Sequence, residues 1–117
     1  MKKSPVLRIS GTEAPPGMDE AFNKWYNDPH IADVMRFGGM DWAMRWKLRR
    51  EQTPPPTGIC PTYLTTYQWE SPEASARWRT SPEQAASAKD FADNFAKKGA
   101  RLIWFAEYDL IQKWEKD

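Results

Sequence analysis

The chain has 117 residues and a mass of 13.6 kDa, enough for one hydrophobic core and too little for two domains. Hydrophobic residues make up 40% and charged residues 28%, which excludes a disordered or membrane-embedded chain. Lys and Arg total 17 against 16 Asp and Glu, so no excess of charge favours nucleic acid or an anionic membrane. We predict one domain over residues 1–117, with neither nucleic acid nor a membrane as partner.

The chain has one cysteine, Cys60, and one histidine, His30. These counts exclude a disulfide framework, and we expect no metal site. The longest strongly apolar run, Leu102–Ala106, is far shorter than the roughly 20 residues that span a membrane. Residues 1–5 carry positive charge, but no apolar stretch of the kind found in signal peptides follows them. We therefore expect a cytoplasmic protein.

The first half of the chain begins with a short strand-like run, Val6–Ser10. Gly11–Gly17 contains two prolines and two glycines, a composition typical of a loop. A helical pattern starts near Met18 or Asp19. Its apolar face consists of Ala21, Phe22, Trp25 and Tyr26.

A predicted break in this helix falls at Asn27–Pro29. Asp28 can cap a helix and Pro29 suits a first helical position, so a second helical piece should begin here. Its apolar side comprises Ile31, Val34, Met35 and Phe37. The pair Gly38-Gly39 should end it.

The middle of the chain predicts two strands, Met40–Arg50 and Thr62–Glu70, separated by a proline-rich loop at Glu51–Pro61. Along both strands the side chains alternate between two sides of different composition. The first has a basic side that could contact an anionic substrate group, but we expect it to be solvated or to pair with acidic residues of the last strand. The apolar side of the first strand is Trp42, Met44, Trp46 and Leu48; one side of the second is Tyr63, Thr65, Tyr67 and Trp69; the basic residues are Arg45, Lys47, Arg49 and Arg50; the acidic residues are Glu107 and Asp109.

Two Ser-Pro-Glu sequences, at Ser71 and Ser81, predict helix starts, because serine caps the first turn and proline suits its beginning. Gly99 should end the second helix, and Arg101–Ile111 should form the last strand. The second helix has an apolar stripe of small and aromatic residues that we expect to pack on the sheet. The stripe comprises Ala85, Ala88, Phe91, Ala92 and Phe95.

The predicted order is β-α-β-β-α-β, the α+β ferredoxin-like arrangement, with a four-stranded antiparallel sheet and both helices on one face. The last strand is apolar on both sides, and seven Trp residues must be accommodated. Soluble monomers avoid a large exposed apolar face. We therefore expect a homodimer whose two sheets pack face to face as a dimeric α/β barrel, with a monomer carrying its Trp side chains at the sheet edges as the alternative.

His30 is the first candidate for catalysis, since an imidazole titrates near neutral pH. Tyr26 precedes it by four residues and Asp33 follows by three, so a continuous helix would place all three on one side. Asp33 could hold the imidazole tautomer, and a helix N-terminus would favour its neutral form. His30 could then abstract a proton while a tyrosine hydroxyl donates to the forming oxyanion. The alternative is a surface histidine that only caps a helix.

Three segments resemble a known family. Phe22–Val34, with an aromatic pair ahead of a histidine, is similar to the first-helix signature of the dimeric α/β-barrel superfamily, in particular its EthD-like and related small members. Gly38–Met40 leading into a strand, and Tyr63–Tyr67 followed by a Ser-Pro-Glu helix start, are similar as well. The likeness extends over roughly Val6–Leu110.

The resemblance implies a ligand pocket between the sheet and the helices of each subunit. It implies a catalytic or ligand-contacting role for His30 and, more weakly, a pocket role for Tyr26. It also implies cofactor-free chemistry on aromatic or polyketide-like molecules. Pro29, directly before His30, departs from the family pattern and could reorient the ring.

We predict an enzyme without cofactor or metal that acts on a small aromatic or hydrophobic ligand by cyclisation, isomerisation, elimination or decarboxylation, with oxygenation as a variant. Its catalytic residues would be His30, Tyr26 and Asp33. Two alternatives stay open: a non-catalytic protein that binds a hydrophobic metabolite, and a haem protein with His30 as axial ligand. Aromatic side chains on the strands are candidates for substrate contact. They are Tyr63, Tyr67, Trp46 and Trp104.

Overall fold

The computed structural model of the chain describes residues 4–51 and 60–116. The predicted proline-rich loop and the charged start fall largely outside these ranges. No helix in the described ranges is long and apolar enough to cross a membrane. The elements in order are β1 (Val6–Glu13), α1 (Asp19–Trp25), a π-helical turn (Tyr26–His30), α2 (Ile31–Phe37), β2 (Met40–Lys47), β3 (Tyr63–Trp69), α3 (Pro72–Arg79), α4 (Pro82–Asn94), a 3-10 turn (Ala96–Lys98) and β4 (Arg101–Asp109).

The four strands form one antiparallel sheet in the order β2-β3-β1-β4. The helices pack against one face, which confirms the predicted ferredoxin-like fold. The predicted alternation of side chains along the second strand of the middle segment is observed in β3. Its helix-facing side chains are all buried: Tyr63, Thr65, Tyr67 and Trp69.

Serine caps begin α3 and α4, as predicted. The Ser71 hydroxyl accepts a hydrogen bond from the backbone N–H of Ala74 at 3.1 Å, and Ser81 accepts one from Gln84 at 3.0 Å. These bonds satisfy amide groups that the first helical turn leaves without partners. The predicted stop before β2 is also present, because Gly39 has a φ of 82° and a Cβ there would lie 2.8 Å from Ala74.

The predicted break at Asn27–Pro29 is wrong. The chain remains helical from α1 through the π-helical turn into α2, and Asp28 caps no helix. The backbone N–H of Ile31 bonds to the carbonyl oxygen of Tyr26, so the wider turn accommodates the proline within continuous helical backbone. Tyr26 and His30 therefore lie on the same side of one helical segment.

Strand lengths differ from the predictions. β1 continues to Glu13 instead of ending at Ser10, since Gly11 and Thr12 pair with both neighbouring strands. β2 ends at Lys47, and β4 ends at Asp109. These ends are set by pairing across the sheet, which local patterns do not report.

The expectation for the basic side of β2 is wrong for Arg45. β2 and β4 are the two edges of the sheet, so Arg45 cannot reach Glu107 or Asp109. Its guanidinium lies 4.4 Å from the centre of the Tyr26 ring and donates hydrogen bonds to Asn23 and Asn27 at 2.9 and 3.1 Å. A cation over an aromatic face is a favourable contact, and it fixes the Tyr26 ring from the β2 side.

The face of the sheet away from the helices, here called the outer face, is apolar. No helix in the described part of the chain covers it, so Met44, Trp46, Trp104 and Tyr108 are 46%, 51%, 39% and 54% exposed. Strand register assigns the following residues to this face: Leu7, Ile9, Trp42, Met44, Trp46, Leu64, Trp104, Ala106 and Tyr108.

Candidate functional site

A cavity of about 180 Å³ lies between the helix-facing side of the sheet, the π-helical turn and α4. Only one end of the predicted α4 stripe packs as expected: Phe95, just after α4, is buried in a cluster with Tyr63 of β3, and Phe91 packs against that cluster, whereas Ala85 and Ala88 are exposed. Ala88 instead lines the cavity together with the exposed side chains of Leu102 and Phe105 on β4. These positions put the opening of the cavity between α4 and β4.

His30 lies in the cavity wall with both ring nitrogens engaged. Nδ1 is 2.7 Å from the Ser87 hydroxyl on α4, and Nε2 is 3.2 Å from the Tyr67 hydroxyl on β3. The ring stacks on Trp25 with a centroid distance of 4.7 Å and an interplanar angle of 18°. Three different elements therefore hold one imidazole in a defined orientation.

Burial is the main cause that lowers the pKa of His30 to about 4, and the positive charges of Arg8 and Arg45 act in the same direction. Asp33 and Asp90 oppose the shift but do not reverse it. The sequence prediction of a neutral imidazole thus agrees with this direction, but for another reason. No helix N-terminus lies at His30, and desolvation produces the shift.

This depressed pKa predicts that acid destabilises the fold through His30. Between an unfolded pKa of about 6.5 and the folded value, the unfolded chain binds a proton that the folded chain excludes, so stability falls as pH falls. From pH 6.5 to about pH 5, the free energy of unfolding should drop by roughly 1.5 kcal/mol more in the wild type than in His30→Gln. Urea unfolding at both pH values measures this difference. Equal drops in the two proteins would contradict it.

Tyr67 and Tyr26 line the same cavity wall as His30. Burial raises the pKa of both phenols, so each stays protonated at neutral pH and can donate a hydrogen bond. The Tyr26 ring packs edge-on against His30 with centroids 5.0 Å apart. Tyr67 is the phenol that contacts the imidazole directly.

Asp33 and Tyr63 lie away from this centre. The Asp33 carboxylate is exposed and pairs with Arg36, while Ser87 occupies the Nδ1 side of His30 where we expected Asp33. The Tyr63 hydroxyl donates to Asp19 at 2.6 Å and does not line the cavity. Asp33 therefore reaches the imidazole only through its charge.

Trp46 and Trp104, both expected near substrate, belong to the outer face. They lie on the opposite side of the sheet from His30. The Trp46 indole N–H donates to Thr66 at 2.9 Å on that face. Neither side chain lines the cavity.

Sequence reasoning missed several polar residues of the site, among them Ser87 and Arg8. Ser87 follows no motif, and its role depends on how α4 lies over the π-helical turn. Arg8 carried a signal, because it interrupts the apolar strand Val6–Ser10 at a position that alternation assigns to the same side as Val6. A charged residue on the inner side of a central strand indicates a polar site.

No group of three His, Cys, Asp or Glu residues in the described ranges could hold a metal ion. The polar groups that converge on the cavity are hydroxyls, an imidazole, an amide and a guanidinium. They belong to Ser10, Thr12, Tyr26, Tyr67, Ser87, His30, Gln84 and Arg8. Such a set can orient a small organic molecule and move a proton.

No protein-family model matches the sequence, and no curated protein is significantly similar to it. Solved structures match over nearly the whole chain. HapK from Hahella chejuensis is 10% identical, with a TM-score of 0.71 over 96% of this chain and 98% of that chain. An ethyl tert-butyl ether D (EthD) family protein from Bacillus halodurans is 17% identical, with a TM-score of 0.64 over 92% and 99%.

A haem-degrading protein from Mycobacterium tuberculosis is 21% identical, with a TM-score of 0.59 over 97% of this chain and 99% of that chain. At these identities the matches establish a shared fold. They confirm the ferredoxin-like fold that the resemblance implied.

Proposed function

We propose that the protein is an enzyme that binds a small ring compound in the cavity and transfers a proton on it, with His30 as general base. The observation that supports this most is an imidazole that stays neutral and is held between Ser87 and Tyr67 in the cavity wall. An unprotonated, oriented imidazole can accept a proton near pH 7, and its lowered pKa limits it to strongly activated C–H or O–H protons.

The hydrogen bonds suggest which nitrogen is the base. We assign Tyr67, a protonated phenol, as the donor to Nε2; this assignment places the proton of the neutral ring on Nδ1, which then donates to Ser87. A substrate that displaces the Tyr67 contact meets the lone pair of Nε2. The released Tyr67 hydroxyl can then donate to the oxyanion that forms as the C–H or O–H proton leaves.

The proton taken up by His30 needs a route to water. A groove between α2 and α4 is lined by His30, Ser87 and three acidic side chains. Those acids are Asp33, Glu83 and Asp90. Loss of the Nδ1–H by way of Ser87 to acceptors in the groove leaves the substrate's proton on Nε2. Nε2 then releases that proton to the product or to water in the cavity, and Nδ1 regains a proton through Ser87, which restores the starting tautomer.

The cavity volume limits the substrate. A cavity of about 150 Å³ accommodates benzene in another protein, so about 180 Å³ accommodates one substituted ring. A polycyclic, polyketide-like molecule would have to extend through the opening between α4 and β4. We therefore propose one-ring aromatic or enolisable compounds as the substrate class.

Haem binding at His30 is less well supported. One matching structure is described as a haem-degrading protein. In this chain, however, both nitrogens of His30 are engaged by hydroxyls, and a cavity of about 180 Å³ is too small for a porphyrin.

The experiment for the proposed function follows deuterium incorporation from D₂O into a panel of one-ring carbon acids and phenols by ¹H NMR. We expect the wild type to accelerate exchange at one activated C–H and His30→Gln to lose that acceleration. Quenching of tryptophan fluorescence by a compound that never exchanges would favour the alternative, a non-catalytic binding protein.

We also propose that the protein is a homodimer joined through the outer face. Side chains of this size seldom stay in contact with water over a whole sheet face in a soluble monomer. A second copy related by a two-fold axis would cover Met44, Trp46, Trp104 and Tyr108 at once. Trp46 and Trp104 would then stabilise the interface and would not contact substrate.

The substitution Trp46→Lys should weaken this dimer at least about tenfold, because it replaces an aromatic ring in the interface by a charge. Light scattering coupled to gel filtration should find the wild type at twice the chain mass of 13.6 kDa and the variant shifted toward the monomer. Met35→Lys on α2 is the matched control and should not shift the mass. A monomeric wild type at high concentration would overturn the proposal.

A further inference from the structure

Arg8 is a buried cation in the cavity wall. It lies on the central strand β1, is 8% exposed, and lines the same cavity as His30 and Tyr67. Its guanidinium carbon is 4.3 Å from the centre of the Phe105 ring. Among the described residues the side chain of Arg8 donates no hydrogen bond and forms no ion pair with an acid.

The nearest carboxylate in the strand register is already engaged. Glu107 on β4 is directly opposite Arg8, but its oxygens accept hydrogen bonds from Ser75 and from Arg79, the latter at 2.9 Å. Glu107 thus contributes charge at a distance, and the hydrogen-bond donors of Arg8 stay unused. Burying a charged guanidinium without a partner costs free energy. Arg8 does not avoid that cost by losing its proton, because the pKa of an arginine stays high even when burial lowers it.

The rest of the cavity wall offers Arg8 no counter-charge. The described lining residues include no Asp and no Glu, and Arg45 adds a second positive charge beyond the Tyr26 ring. A planar, largely buried guanidinium with free N–H groups matches a carboxylate in both charge and shape. A bound anion would supply the partner that the chain itself does not.

We infer that Arg8 is a substrate-binding residue that takes the carboxylate of a one-ring organic acid. This inference rests on the proposed function for the location of the site but not for its chemistry. With the carboxylate on Arg8, the ring occupies the cavity that His30 also lines, where an acidic C–H or O–H of the ligand can meet the imidazole. Neutral analogues of the same size would lack this anchor.

The test compares benzoate with benzamide, which have the same shape and differ in charge. Binding is followed by calorimetry and by fluorescence of the cavity residues Trp25, Trp69 and Trp78. We expect the wild type to bind benzoate at least about tenfold more tightly than benzamide. Arg8→Met should abolish this preference by weakening benzoate alone, and Arg8→Lys should retain part of it. Arg36→Met, at an exposed arginine on α2, is the matched control and should behave as wild type.

Three results would overturn the inference: equal affinity of the wild type for the two probes, no binding of either at millimolar concentration, or an undiminished benzoate preference in Arg8→Met. The wild-type comparison is decisive even if the Arg8 variants fold poorly. Failure of the proposed function is distinguishable, since His30→Gln should keep the benzoate preference whether or not the wild type catalyses exchange.

Discussion

Deuterium exchange catalysed by the protein should slow at least about 100-fold when His30 is replaced by glutamine. Glutamine is neutral and can still form hydrogen bonds to Ser87 and Tyr67, so the cavity should keep its shape. It has no lone pair basic enough to accept the proton. ¹H NMR of the exchanging C–H, at saturating and subsaturating substrate, should show a lower maximal rate with a nearly unchanged KM.

Asp33→Asn is the control for the His30 variant. Asp33 is exposed and paired with Arg36, and Glu83 and Asp90 remain in the groove as proton acceptors, so the rate should stay within about twofold of wild type. An unchanged exchange rate in His30→Gln would remove His30 from the mechanism. A loss in Asp33→Asn as large as in His30→Gln would assign the base to the groove instead of the cavity.

Phe22→Ala should lower the free energy of unfolding by about 4 kcal/mol. Phe22 is fully buried on α1, and its ring lies 5.1 Å from Tyr26, 6.0 Å from Tyr63 and 5.4 Å from Phe95. Truncation removes its transfer free energy and leaves a void that the surrounding rings cannot fill without leaving their rotamers. Urea unfolding followed by circular dichroism measures the change.

Met35→Ala is the stability control, since Met35 is exposed on α2 and its truncation should cost about 0.5 kcal/mol or less. A loss below about 1 kcal/mol in Phe22→Ala would mean that the cluster between α1, β3 and the end of α4 is loosely packed. Because Tyr26 belongs to the same cluster, the ligand cavity would then lack a rigid wall as well.

Local chemistry determined much of the fold. The alternation of Tyr63 to Trp69, the serine caps and the Gly38-Gly39 stop each depend on neighbouring residues, and each was predicted from the chain alone. Pro29 misled the prediction because its usual local effect is to end a helix. The π-helical turn around Pro29 is stabilised because Tyr26 before it and His30 after it pack against β3 and α4.

Some residues of the candidate site could be predicted from local sequence, and others depend on packing between distant segments. His30 and Tyr26 could be proposed from residue type and spacing, since an imidazole has its chemistry wherever it lies. The partners of His30 are 37 and 57 residues away in the chain, so Tyr67 and Ser87 are defined only by how the strands and α4 pack. The same holds for Arg8, whose nearest acid is engaged by Ser75 and Arg79.

The element order and the unmatched apolar face follow from periodicity, which is a property of neighbours in the chain. The depressed pKa of His30, the exclusion of Trp46 and Trp104 from the cavity and the unpaired charge of Arg8 follow from burial and register. Burial and register depend on residues distant in sequence, which is why they required the folded chain.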